Sequence, residues 1–156
     1  MTTKLYWLPT TQDFGPGRVA LSPCPLDGVS AIAAQGVSVV VTLTTKEELI
    51  RVGMGDLGAQ CRAAGMKHMH QPIKDYGVPL LEEAQPLVLA LRQLQRDGEN
   101  ILIHCMGGLG RSGLMSALLL VDAGIPPENA ITIVRNTRSP KAIETKDQEQ
   151  CVRDFQ

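Results

Sequence analysis

A chain of 156 residues with 44% apolar side chains suits one domain with a substantial core, built from Leu, Val, Ile, Ala and Met because aromatic residues are scarce. A formal charge of −1 argues against general affinity for nucleic acid or an anionic membrane. No apolar run reaches the length of a membrane span, the residues before Tyr6 lack a signal-peptide layout, and Cys24, Cys61, Cys105 and Cys151 show no paired spacing; a reducing cytoplasm is therefore expected, without a zinc site or disulfide framework.

In chain order, strand-like runs at Lys4–Leu8 and Arg18–Leu21 precede a helical pattern over Asp27–Gln35, which Gly36 closes. A strand at Val37–Leu43 leads into helices at Lys46–Val52 and Asp56–Ala64, and Gly65 marks the turn to a strand at Met66–Gln71. The long helix Leu80–Asp97 carries Leu81, Ala84, Leu87, Val88, Leu91 and Leu94 at helical spacing, which makes it a core element. After Gly98 come a strand at Asn100–Ile103, a nearly all-apolar helix at Ser112–Ala123, and helices at Pro127–Thr137 and Thr145–Phe155. Strands alternating with helices predict an α/β sandwich, a single domain over residues 1–156 whose largely parallel sheet is covered by helices.

The junction between the last strand and the apolar helix reads His104-Cys105-Met106-Gly107-Gly108-Leu109-Gly110-Arg111-Ser112-Gly113. A strand end feeding a helix N-terminus offers an anion unpaired N–H groups and the positive end of a helix dipole. Facing Arg111 and those N–H groups, Cys105 is expected to act as a thiolate nucleophile. Gly107, Gly108 and Gly110 permit torsions and close approach that side chains would obstruct. The phosphate-binding backbone then runs from Met106 through Leu109 and Gly110 to Arg111, whose guanidinium fork can hold two phosphoryl oxygens at once. Ser112 can hydrogen-bond the sulfur as nucleophile and later as leaving group. His104 is expected to orient the loop from behind the cysteine, not to act as a base. The bland alternative is a buried cysteine in a glycine-rich turn.

This segment resembles the His-Cys-x5-Arg-Ser signature loop of the cysteine-dependent protein tyrosine and dual-specificity phosphatases. The resemblance implies their sandwich fold and a phosphocysteine intermediate. Ile73-Lys74-Asp75-Tyr76-Gly77-Val78-Pro79 is similar to the family's acid loop, Trp-Pro-Asp-x-Gly-x-Pro, with Asp75 as general acid and Ile73-Lys74 replacing the Trp-Pro. Ala142-Ile143-Glu144-Thr145-Lys146-Asp147-Gln148 resembles the Ala-Ile-Gln-Thr-x-x-Gln segment. Gln148 falls where an amide orients the attacking water, while Glu144 stands in place of the first glutamine. A plain turn aspartate and a surface glutamine are the alternatives. Arg135 and Arg138 precede that segment, where relatives often carry an arginine near the pocket; pairing at a helix end is the competing reading. His68 and His70 share a strand face but lack further ligands, so neither a metal nor a cofactor is expected. Cys24 reads as a turn residue or packed thiol, and a regulatory disulfide between Cys105 and another cysteine is a further option.

Within this superfamily the order of motifs looks most like the kinase-associated phosphatase group, also known as the cyclin-dependent kinase inhibitor 3 family. That resemblance implies a phosphorylated protein substrate, a kinase among the candidates, and no nucleic-acid or membrane partner; a monomer is expected. The chain is too short for the elements that deepen the pocket of tyrosine-specific enzymes, so phosphoserine and phosphothreonine are expected beside phosphotyrosine. Met106 and Leu109, where phosphoinositide phosphatases often have lysines, weigh against a polyphosphorylated inositol. The alternatives are such a phosphoinositide phosphatase, a rhodanese-like sulfurtransferase, which would not need Asp75 or Gln148, and an inactive phosphoprotein-binding module.

Overall fold

The computed structural model describes residues 2–11 and 13–156. Its strands are β1 (Tyr6–Trp7), β2 (Val19–Ser22), β3 (Val39–Thr42), β4 (Lys67–His70) and β5 (Ile101–His104). They form one sheet in the order β1-β2-β5-β3-β4, parallel throughout except for the antiparallel edge strand β1. Val-Ala-Leu-Ser, Val-Val-Val-Thr and Ile-Leu-Ile-His are buried at every position, as strands covered on both faces must be. Lys67-His68-Met69-His70 is half exposed and takes the other edge.

The helices are α1 (Ser30–Ala34), α2 (Lys46–Arg51), α3 (Leu57–Ala63), α4 (Leu81–Arg96), α5 (Gly110–Asp122), α6 (Pro127–Thr137) and α7 (Lys146–Asp154). Side chains alternate across each strand, so the sheet feeds two cores. Val19, Leu21, Val39, Val41, Ile101 and Ile103 pack with α4 to α7, through residues such as Leu91, Leu118, Val134 and Val152. Ala20, Val40 and Leu102 pack on the other face against Ile32 of α1, Leu49 of α2 and Leu57 and Cys61 of α3. That second face continues, two residues on, into Ser22, Thr42 and His104, which are polar yet fully buried. The sheet thus changes from apolar to hydrogen-bonding at the strand ends, beneath the loop that leaves its middle strand.

The mostly parallel α/β sandwich and the order of its elements match the sequence expectation. Two helix starts differ for local reasons, and one helix carries a proline inside it. Helix α1 starts at Ser30 because Gly28, at φ 96°, still belongs to the preceding turn. Helix α4 runs through Pro86, so the proline that has no N–H for the Glu82 carbonyl does not end it. Helix α5 starts at Gly110, two residues early, which places Arg111 and Ser112 in its first turn. No helix among the described residues is long and apolar enough to cross a membrane.

The entry to β2 is fastened to the α4–β5 turn. Gly17 N–H donates to the Gln95 carbonyl at 2.8 Å, and Gln95 Nε2 donates to the Gly17 carbonyl at 3.3 Å. A Cβ at Gly17 would lie 2.0 Å from the Glu99 carbonyl oxygen, a backbone atom that cannot swing aside. Gly17→Ala should therefore lower unfolding free energy in urea by about 1–3 kcal/mol; an unchanged midpoint would show that the strand entry moves freely.

Candidate active site

The segment from Cys105 to Gly110 is shaped by what holds its carbonyls. The Cys105 carbonyl accepts from His104 Nδ1 at 3.1 Å, and the Met106 carbonyl from the Cys24 N–H at 3.0 Å. Arg138 takes the next two, Nη2 to the Gly107 carbonyl at 3.1 Å and Nε to the Gly108 carbonyl at 3.0 Å. The Leu109 carbonyl accepts from Ile143 N–H at 3.0 Å and, as the first helical bond, from Gly113 N–H at 3.2 Å. In a trans peptide the following N–H points opposite to the carbonyl. Five consecutive N–H groups, from Met106 to Gly110, are thereby turned away from these outer partners to form an anion nest. The Gly108 N–H shows the result directly, lying 3.3 Å from Cys105 Sγ.

The three loop glycines sit in different surroundings. Gly108 sits at φ 71°, and a Cβ there would come within 2.5 Å of the Ser22-Pro23 backbone. At Gly110 a Cβ would collide with Glu144 Oε1 at 2.5 Å, so the 144–148 segment lies directly on the helix start. Gly107 has open space at the same point and no positive φ.

Arg111 is buried and committed on several sides. Its Nη1 donates to Glu48 Oε1 at 2.7 Å and to the Ile73 carbonyl at 2.9 Å, and Nη2 donates to Glu48 Oε2 at 2.9 Å. Asp75 Oδ1 lies 3.2 Å from the same Nη2 and is half exposed. Glu48 escaped the sequence reading. It is the N3 residue of a capping box with Thr45 at the start of α2, and the Thr45-x-x-Glu48 spacing is the signal that could have flagged it. Hydrogen bonding from Arg111 holds its carboxyl down at about 2. A buried guanidinium whose fork is already aligned needs little reorganisation to present its edge to a phosphoryl group.

Asp75 projects from a short, over-determined turn. Its Oδ1 accepts from the Tyr76 N–H at 3.0 Å, and Tyr76 takes a left-handed φ of 62°. Gly77 N–H closes the turn on the Lys74 carbonyl at 2.7 Å, where a Cβ would meet the same oxygen at 2.7 Å. Gln148, fully buried, clasps this turn: Nε2 donates to the Gly77 carbonyl at 3.1 Å. Its Oε1 accepts from the Glu144 N–H at 2.9 Å and the Thr145 N–H at 3.3 Å, completing the capping box of α7. The structure thus brings Gln148 to Gly110 and the acid turn, with its carbonyl end engaged by the backbone.

Ser112 lies beneath the loop with its hydroxyl buried and without a hydrogen-bond partner; the expected bond to the sulfur is not made in this state. His104 is buried, and burial pushes its imidazole down to about 4, so it is neutral; its contact behind Cys105 is the one expected. Met106 leans on the second core. Arg138 does reach the loop, although through carbonyls, and it stacks 4.3 Å from the Tyr6 ring centroid. Arg135 instead donates to the Ala142 and Ile143 carbonyls at 2.8 and 2.9 Å, bracing Ile143 at φ 60°. All four cysteines are free, and burial chiefly pushes the Cys24 thiol up to about 11, with the neighbouring Cys105 and Glu48 adding to it.

Comparison with known proteins follows the same lines. Residues 11–155 match the family model described as "Swiss Army Knife protein, DSP-PTPase phosphatase domain". The chain is 31% identical over 126 residues to cyclin-dependent kinase inhibitor 3 of Rattus norvegicus, covering 80% of this chain and 59% of that protein. It therefore spans under two thirds of the length of that relative. Among solved structures it resembles kinase associated phosphatase carrying a serine in place of the catalytic cysteine, at TM-score 0.91 and 25% identity over 97% of this chain and 93% of the other. It also resembles Tk-PTP in its active form, at TM-score 0.76 and 31% identity over 89% of this chain and 91% of the other.

Two imidazoles make stability depend on pH, the buried His104 and the half-buried His68. His104, and His68 by burial first and the nearby His70 and Arg62 next, are held below the ordinary histidine value. Unfolding lets both protonate, so their contribution is intact above about pH 6.5 and falls away below it, for His104 down toward about 4 and by up to about 1.4 kcal/mol per pH unit. Glu48 acts lower, contributing above the usual carboxylate range and losing that contribution toward pH 2. Urea midpoints should fall from pH 7 to 5.5 to 4.5; equal midpoints would mean that the histidines are not held neutral.

Proposed function

The chain belongs to the DSP-PTPase phosphatase domain family, and from that membership we propose that it hydrolyses phosphate monoesters on protein side chains in two steps through a phosphocysteine. One observation carries this reading: Cys105 Sγ lies at the floor of a nest of inward N–H groups, flanked by an Arg111 that Glu48 has already aligned and by Asp75 at its lip.

In the first step the Cys105 thiolate attacks phosphorus and the seryl, threonyl or tyrosyl oxygen leaves. The nest and the free edge of Arg111 take the charge on the non-bridging oxygens. Asp75, half exposed and able to reach a leaving oxygen above Arg111, gives it a proton. In the second step water attacks the phosphocysteine, Asp75 accepts the proton, and the sulfur departs as thiolate. Gln148 orients that water from its seat on Gly110; its amide nitrogen has a second N–H beyond the one given to Gly77. Ser112, whose hydroxyl is buried without a partner, supplies a hydrogen bond to the sulfur when charge returns to it.

The substrate is a phosphoprotein, with a kinase among the candidates, a reading supported by the similarity to cyclin-dependent kinase inhibitor 3 and to kinase associated phosphatase. Met106 and Leu109 put no lysine into the loop for a multiply phosphorylated ring.

Hydrolysis of an aryl phosphate tests the chemistry. Wild type should turn over in EDTA and stop with vanadate, and Cys105→Ser should be inactive; metal-dependent turnover that survives Cys105→Ser would sink the mechanism. Asp75→Ala should bind substrate yet turn over about 10²–10⁴-fold more slowly. Unchanged turnover of a phosphopeptide would remove Asp75 from it.

A further inference from the structure

Behind the loop, a line of polar groups crosses the sheet from its exposed edge to the nucleophile. His68 Nε2 lies 2.7 Å from Thr42 Oγ1, Thr42 Oγ1 lies 2.7 Å from His104 Nε2, and His104 Nδ1 lies 3.1 Å from the Cys105 carbonyl. Three strands contribute: β4, β3 and β5. Strand register explains the meeting, because residues 68, 42 and 104 all face the side of the sheet covered by α1 to α3.

The proton positions follow from one end. A carbonyl only accepts, so His104 donates from Nδ1. As a neutral imidazole it must then accept at Nε2, and the sole donor there is the Thr42 hydroxyl. That hydroxyl has a single hydrogen, so toward His68 it can only accept, and His68 must carry its proton on Nε2. Nδ1 of His68 faces the α3 side: a Cβ on Gly58 would be 2.9 Å from it and 3.2 Å from Arg62 Nη1. The direction of every bond is determined, and each points from the β4 edge toward Cys105.

We infer that Thr42 and His68 are positioning residues for the phosphatase reaction: through His104 they hold the Cys105 carbonyl outward and so aim the Met106 N–H into the nest. The trans peptide links the two directions, since a carbonyl drawn behind the loop leaves the following N–H facing the bowl. Without the Thr42 hydroxyl, His104 has no donor at Nε2 and is free to take the other tautomer, which removes its N–H from the Cys105 carbonyl. The first peptide of the loop then loses its tie, and the nest loses the Met106 N–H.

This inference rests on the proposed reaction, and it is tested with a measurement that does not. Thr42→Val keeps the shape and removes the hydroxyl, whereas Thr42→Ser keeps it; His68→Leu removes the outer donor, whereas His68→Gln restores an N–H. Thr42→Val should lower kcat for an aryl phosphate about tenfold, the scale of a buried hydrogen bond left unmade, with KM changed far less. Alkylation of Cys105 by iodoacetamide at pH 6, followed by peptide mass spectrometry, should slow in parallel. Thr42→Ser and His68→Gln should stay within about twofold of wild type, and His68→Leu should show the same defect in smaller measure. A folded Thr42→Val with wild-type kcat and alkylation overturns the inference, as does a Thr42→Ser that is as impaired as Thr42→Val. If Thr42→Val does not fold, the His68→Leu and His68→Gln pair decides by the same criterion. A wild type that hydrolyses no phosphate ester refutes the proposed function, while the alkylation rates still judge the relay.

Discussion

The site depends on one constraint, that five successive loop carbonyls are drawn outward. The ties come from four parts of the chain: His104 from β5, the Cys24 backbone from the turn after β2, Arg138, which holds two carbonyls, from the end of α6, and Ile143 from the segment before α7. Backbone dipoles fixed before a substrate arrives do not have to reorient during reaction, which is the main economy an electrostatic site can offer. The fold supplies these ties where β5, the middle strand, ends between helices from both faces of the sheet.

Arg111 shows the same preparation in a side chain. A lone buried guanidinium is costly, and here Glu48 balances its charge while the Ile73 carbonyl takes a further N–H. Because Ile73 begins the acid turn and Glu48 caps α2, the arginine joins three segments that sequence separates widely. Gln148 makes the complementary join, fastening Gly77 of the acid turn to the cap of α7. The loop from Cys105 to Arg111, the Asp75 turn and the C-terminal helix therefore form one hydrogen-bonded unit, in which an error in any member displaces the others.

The glycine-rich loop from Cys105 to Arg111, the Asp75 turn and the order of elements were legible because each is local. Cys105, Arg111 and the glycines sit in ten residues, Asp75 and Gly77 in one turn, and the buried strands announce themselves as Val39-Val40-Val41 and Ile101-Leu102-Ile103. What stayed hidden is non-local. Glu48 lies 63 residues before its arginine, and Thr42 meets His68 and His104 only through strand register. Cys24 contributes a backbone N–H, which no side-chain type encodes. Arg138 was noticed, but its hold on two carbonyls required knowing that α6 ends beside the loop. Of the loop glycines, Gly108 and Gly110 meet close contacts, and those come from Ser22, Pro23 and Glu144, far away in sequence.

The account turns on a covalent intermediate at one atom. Wild-type protein quenched in acid during turnover of an aryl phosphate, then digested and examined by mass spectrometry, tests it most directly. The account predicts one phosphoryl group on the peptide containing Cys105, bound through sulfur. Turnover with no phosphorylated peptide, or with phosphate on any other residue, would contradict it.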